Sequence, residues 1–469
     1  MKTIKISGLL IFFICLNFLA NSQVPEFKTL DLGGNESGII YSLSNGGYAV
    51  VGKTDQGGDD DLFLARLDAN LNVLSIVEYG DGTKEEARDL VELSNDTLLI
   101  SGTRFSNHKP VLSKIALSGN VQSYGMASST STGQDRMMFL YKSSTGQIFN
   151  YGFLEQSLTG SYNRISVTEY DQYLNSSWNY FYNNQAVSAG DSWGEMYSRS
   201  MVENANGTLS ILSVISDGNN AILGLRQEPR IITIDNNGSL IHVKGLDSIF
   251  RKTDPRYMAK TLNDGFIICG YMSDHINDKD IILYKLDNAF NVIWTKSIGG
   301  AGDDVAYGIV HLGNDEYVIA GYVSDIGFGG KDACMIKINS NGDIIWAKAY
   351  GKSGEDEAKK VIYDNGTLLL SGKSNSYNVN EDIFIVRTDT SGNIQADCIM
   401  DIKSSLSSLS HTKTSKNFTY PTGTYNVPVP ISLAFSSITG STEEQCVTCG
   451  QTNSLSSNDT CLNDSVYFS

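Results

Sequence analysis

Residues able to do chemistry are plentiful in this chain, but few stand at a spacing that specifies a reaction. The five histidines (His108, His242, His275, His311 and His411) form no i, i+2 or i, i+4 pair. His-Glu-x-x-His and phosphate-cradling glycine loops are missing, so neither zinc hydrolysis nor nucleotide chemistry is written in a motif. Carboxylates abound, yet no pair can be nominated as a glycosidase acid and base from sequence separation alone. Aspartates gather ahead of several strand-like runs: Asp55 with Asp59, Asp60 and Asp61; Asp274 with Asp278 and Asp280; Asp325 with Asp332. Oxygen-only clusters suit calcium, but this spacing fits no calcium loop. A turn-forming aspartate bonding nearby backbone N–H groups is the simpler reading. No cofactor is expected, with calcium the weak alternative. An aromatic group runs from Tyr162 to Tyr197. Tyr170, Trp178 and Tyr180 lie in strand-like runs and read as core. Trp193 and Tyr197 fall in a stretch of extra length, expected to be a loop, and are the candidate ligand contacts, since flat rings with a polar tip suit sugars.

What must position these residues is a repeat. In 303–350 four short apolar runs are separated by turn residues, the pattern of four antiparallel strands. A glycine closing the second run recurs at Gly52, Gly102, Gly152, Gly270, Gly321 and Gly372, with Ser213 once in its place, at spacings of 50 to 61 residues. An Asn, Asp or Gly turn precedes each marker, as at Asn45-Gly46-Gly47 and Asn365-Gly366, which is what a tight hairpin requires. Second runs such as Phe266-Ile-Ile-Cys269 are unbroken, so both their faces are covered. Third and fourth runs are expected to alternate as outer strands. A sheet this small cannot bury itself, and radial stacking of seven copies does bury it. The fold class is therefore all-β: a seven-bladed β-propeller of four-stranded antiparallel blades with a C-terminal β appendage. The tryptophans at the fourth-strand position (Trp178, Trp294, Trp346) read as blade packing. Phe27–Leu32 resembles the end of a fourth strand, so the chain enters one strand early. That stretch is expected to pair with the third strand of the last copy, near Ile383–Arg387, and lock the ring.

Met1–Lys5 is basic, residues 9–20 are apolar, and Ala20-Asn-Ser22 precedes Gln23; together these describe a secretory signal peptide. Twelve apolar residues are too few to span a bilayer. The formal charge of −17 becomes −19 once Lys2 and Lys5 are removed, since residues 1–22 hold no acid. So acidic a surface disfavours nucleic acid and anionic membranes. Cys269 and Cys334 sit in apolar runs and read as small core residues. Cys398, Cys446, Cys449 and Cys461 cluster late. In an exported chain this favours disulfides over zinc, and Cys398 is expected to bond Cys446 or Cys449.

The repeat resembles the propellers of large secreted proteins from bacteria that use type IX secretion. The residues that carry the likeness are Gly299-Gly300 with Asp304, Gly321-Tyr322, Lys285-Leu286-Asp287 and Trp294 or Trp346. Cys461-Leu-Asn-Asp-Ser-Val466 resembles the opening of an immunoglobulin-like or PKD-like domain. The domain reading is a signal peptide at 1–22, a propeller at 23–400, a Ser/Thr/Pro-rich appendage and linker at 401–450, and the start of a truncated domain at 451–469.

Two functions compete. One is a non-enzymatic recognition or adhesion module, secreted or at the cell surface, monomeric and taking a protein or glycan ligand without nucleic acid or membrane insertion. The other is an extracellular carbohydrate-active enzyme, a glycosidase or lyase, with an acidic site at the propeller channel. Converging acids with His or Tyr in the channel would favour the enzyme, and unpatterned Ser, Asn and Gly the module.

Overall fold

A computed structural model describes residues 25–444 apart from short stretches, the longest being 127–135, 183–192, 218–225 and 425–434. The expected signal peptide and the segment 451–469 lie outside the described residues. Each repeat copy forms a four-stranded antiparallel unit with its strands adjacent in chain order. Unit I spans 37–79, II 85–126, III 136–182, IV 193–246, V 252–299 and VI 305–350. Unit VII takes three strands from 356–388. The expected hairpins form because the turn residues accept left-handed backbone: Gly46 has φ +85° and Asp315 φ +58°.

Unbroken second strands are buried on both faces, as expected. Ile267 packs with Ile319 and Ile336 of unit VI, while its neighbour Ile268 packs with Leu212 and Ile231 of unit IV. Successive side chains of a strand point to opposite faces, so one apolar run feeds two cores. Clusters of this kind fill the seam between each pair of consecutive units. Further clusters join VI to VII and VII back to I. The arrangement is propeller-like. Third strands do not alternate as expected: Asp382–Thr388 is buried throughout. They are interior strands with a neighbouring unit on each face. Fourth strands do alternate, as in Val73–Tyr79.

The early start of the chain has the expected consequence. Strand Glu26–Asp31 pairs antiparallel with Asp382–Thr388, setting Phe27 opposite Val386 and Leu30 opposite Ile383. Glu26 ion-pairs with its cross-strand neighbour Arg387. The N-terminal strand thus supplies the fourth strand of unit VII.

The stretch expected as appendage and linker does more than hang from the last unit. Its short strands travel back around the molecule in reverse order and add an outer edge to one unit after another. Ile399–Asp401 pairs with VI, Ser407–His411 with V, Ser415–Phe418 with IV and Thr422–Thr424 with III. Phe435–Ser437 then pairs with I, and Ser441–Glu444 with the N-terminal strand. An exposed sheet edge is a template for unwanted pairing, and this belt covers it. Tryptophans tie the units laterally, as expected. Trp294 lies under Gly342 of the next unit and donates to the Ser340 carbonyl at 3.1 Å. Trp178 does the same at Gly238 and the Asn236 carbonyl, 3.2 Å away.

Candidate functional site

The first strands of all the units face one central cavity of about 1150 Å³. Its chemistry is set by an irregularity shared by several units. A β-bulge gives the first strand one extra residue opposite the marker glycine region, and the bulged residues are Arg88, Arg199, Arg256, Tyr307 and Lys359. Bulges re-aim side chains, and all five of these line the cavity. At most of these bulges a marker glycine lies opposite, with Ser213 in its place at Arg199. A Cβ on Gly321 would lie 1.8 Å from the Val305 carbonyl oxygen, and one on Gly372 would lie 1.9 Å from that of Glu357. At those two positions only a residue without a side chain admits the approach.

Four of the five bulged residues are cations, partly balanced by acids on the same strands. Arg199 and Arg256 both reach Asp254, at 3.1 and 3.0 Å. Arg88 meets Glu86 at 2.7 Å. Lys359 pairs with Glu357, which Lys331 also meets at 2.7 Å. Burial alone would raise Glu357, but the two lysines outweigh it and hold the carboxyl down at about 2. Tyr307 lies between cations: Lys359 is 4.2 Å and Arg256 5.5 Å from its ring centroid. The cavity lining carries nine Lys and Arg side chains against four carboxylates. Counting the acids outside the lining that pair with these cations, Asp60, Asp254, Asp264 and Glu357, leaves an excess of one cation, in a chain whose formal charge is −17. The cavity that the alternative reading expected to be acidic does hold Glu86, Asp89, Glu92 and Glu381 with His311 and five tyrosines, but cations outnumber these acids in its lining. Bulging turns the basic residues inward, while Asp254 and Glu357 stay outside the lining and Glu86 shares it.

One step further along each strand the repeat breaks down into different residues: Asp89, Ser200, Tyr257, Gly308 and Lys360 all line the cavity. Tyr41 donates to Asp89 Oδ1 at 2.6 Å, and the Leu140 N–H donates to Oδ2 at 2.9 Å. Lys360 Nζ stands 3.3 Å from the centroid of the Tyr41 ring. Burial pushes the Lys360 ammonium down to about 8, against the pull of Asp89. Burial also raises Asp89 and Tyr41, and the Asp89 charge raises Tyr41 further. Tyr257 is raised to about 12, chiefly by burial. It lines the cavity with 40% of its surface exposed.

Trp193 and Tyr197 are not in a loop. Both belong to strand Trp193–Glu203, opposite Asp217 and Val214. It is the strand that carries Arg199, and the extra length of this copy went partly into an eleven-residue strand. The sequence 190–194, Gly-Asp-Ser-Trp-Gly, has the spacing of a nucleophile elbow. That motif needs a strand turning into a helix, and Trp193 and Gly194 begin a strand. The Asp-rich loops are used as turns and clasps. Asp332 accepts from the N–H groups of Phe328 and Gly329, 2.9 and 3.2 Å away. Asp55 accepts from the backbone and side chain of Asn35, at 2.5 and 2.8 Å. Cys269 and Cys334 are buried free thiols, as expected. Cys398 is buried beside Phe27 and Phe384, while Cys446 and Cys449 lie outside the described residues.

Sequence reading missed the bulged cations. A signal was present: Arg88, Arg199, Arg256 and Lys359 stand thirteen or fourteen residues ahead of their marker. That offset carries meaning only once a bulge is known to exist.

No family model and no curated protein matches this chain. Among solved structures, the polysaccharide lyase Uly1 is 10% identical, with 76% of this chain and 90% of that one covered at a TM-score of 0.44. Sqt1 from Chaetomium thermophilum is 9% identical, with 79% and 99% covered at 0.43. A protein of unknown function from Dyadobacter fermentans DSM 18053 is 11% identical, with 78% and 98% covered at 0.34. At these identities and scores nothing of their activities transfers to this chain.

Proposed function

We propose that the units are the seven blades of a closed propeller acting as a recognition module of an exported protein, and that its ligand is an anionic glycan chain held in the central cavity. The observation that carries this reading is the excess of cations on the cavity wall of a strongly acidic chain. Tyr41, Tyr141, Tyr151, Tyr257 and Tyr307 line the same cavity and supply flat faces for sugar rings. A channel of this volume suits a chain end better than a folded protein. Trp193 and Tyr197 remain proposed contacts, because their strand leads directly to Arg199.

The test is calorimetric titration of the purified chain with oligogalacturonate, dextran sulfate and neutral dextran. The anionic probes should bind and dextran should not. Arg256→Ala should weaken binding at least tenfold, since a hydrogen bond to a charged group contributes about 1.5–3 kcal/mol. Equal binding of dextran, or no binding of either anion, would sink the reading.

The cluster of Lys360, Tyr41 and Asp89 favours a second reading, elimination on a uronate chain. An amine with a pKa near 8 can act as base. It would take the proton from the carbon beside the carboxylate, and that electron pair would form the new C=C bond as the C4–O bond breaks. The Tyr41 hydroxyl would protonate the leaving oxygen. Unsaturated product from oligogalacturonate, lost in Lys360→Gln, would select the enzyme over the module.

A further inference from the structure

Three carboxylates meet where the chain passes from unit VII to unit I. Asp31 ends the N-terminal strand, Glu36 precedes the first strand of unit I, and Asp382 begins the third strand of unit VII. Each offers an oxygen, and the three oxygens lie within 4.8 Å of one another. Asp31 and Asp382 stand one step beyond the Leu30–Ile383 pair of the same ladder, where like charges oppose folding. The Gly33 N–H donates to Asp31 Oδ1 at 2.7 Å. The Gly34 N–H and the Thr54 hydroxyl donate to Glu36 Oε1 at 2.7 and 3.2 Å. Asn378 donates to Asp382 Oδ2. These bonds orient the three groups, and neither Asp31 nor Glu36 has an ion-pair partner among the described residues.

The second observation is a stranded atom. Glu36 is fully buried, and its Oε2 has no hydrogen-bond partner. A buried carboxylate grouped with two more carboxylates, with one oxygen met by no donor, is a place where a positive charge would be stabilising. Asp31, in contrast, is exposed, which gives an ion a way in.

We propose that Asp31, Glu36 and Asp382 hold a divalent cation, and that the ion clasps the seam where the N-terminal strand joins the last unit to the first. The donor set contains only oxygen, which selects a hard cation of the calcium class over zinc or copper. Among the described residues no other group of three acids, histidines or cysteines meets so closely. The Asp-rich loops that stood out in the sequence are not part of it.

The test is titration of Ca²⁺ into the purified, chelator-treated chain, followed by calorimetry and by thermal unfolding. One Ca²⁺ should bind with a Kd on the order of 0.1–1 mM, the range of extracellular modules. At about 10 mM Ca²⁺ the melting temperature should rise by at least about 2 °C. Asp31→Asn changes an exposed side chain and should leave the apo melting temperature unchanged or higher, while weakening Ca²⁺ binding at least tenfold. Glu36→Gln should do the same to binding and supplies the missing donor. No Ca²⁺ binding by the wild-type chain would overturn the proposal. So would binding that both variants retain, since the ion would then sit elsewhere.

Discussion

Replacing Phe27 by alanine should destabilise the protein by about 3–5 kcal/mol, the range for a buried phenylalanine truncated in a core that relaxes incompletely. Phe27 is 1% exposed. Its ring stacks on Phe384 with centroids 5.7 Å apart and tilts against Tyr377 at 5.0 Å. Aromatic pairs of this kind add about 0.5–1.5 kcal/mol beyond area burial, so the upper half of the range applies. Against a total stability of roughly 5–15 kcal/mol the loss is large. The strand should still dock, because the Glu26–Arg387 pair and the backbone ladder remain. The assay is guanidinium unfolding followed by tryptophan fluorescence, with the midpoint falling and the slope unchanged. Leu74, 57% exposed on a fourth strand, provides the control, and Leu74→Ala should stay within about 0.5 kcal/mol of wild type. A Phe27→Ala loss no larger than that of Leu74→Ala would refute the claim that residues 26–31 pack as the fourth strand of unit VII.

Three further outcomes are expected. Burial, reinforced by the charges of Asp280 and Asp303, raises Asp304 to about 7, far above the ordinary value of about 3.9. The native state therefore holds that proton more tightly, and its stabilising effect fades as pH rises from about 4 to 7. Asp304→Asn should gain on the wild type between pH 5 and pH 8 in thermal melts, and a pH-independent difference would contradict this. Lys360 carries its charge below about pH 8, so affinity for oligogalacturonate should fall as pH rises through 8, and Lys360→Gln should flatten that fall in calorimetry. Non-reduced peptide mapping should join Cys398 to Cys446 or Cys449, and three free thiols in exported protein would exclude it.

The sequence by itself determined the repeating unit, because strands and hairpins are written locally. Alternation or continuity of apolar residues sets which faces are covered, and Asn, Asp or Gly at left-handed positions sets the turns. It determined the early start too, since Phe27–Leu32 matches a fourth strand whose own copy is absent, and the observed pairing with Ile383–Arg387 follows from that count. Cys269, Cys334 and the fourth-strand tryptophans were readable for the same reason, each being fixed by a place within one unit. Three things belong to tertiary structure alone. The C-terminal belt pairs through backbone hydrogen bonds at edges a whole unit apart, so its side chains needed no apolar pattern and read as a linker. The inward cations depend on a one-residue bulge, and a single-residue shift of register reverses which face a side chain takes. The Asp31–Glu36–Asp382 cluster joins the two ends of the repeat region, more than 340 residues apart in sequence. Charge, burial and proximity there are properties of the seam between units VII and I, and no window of the chain contains them.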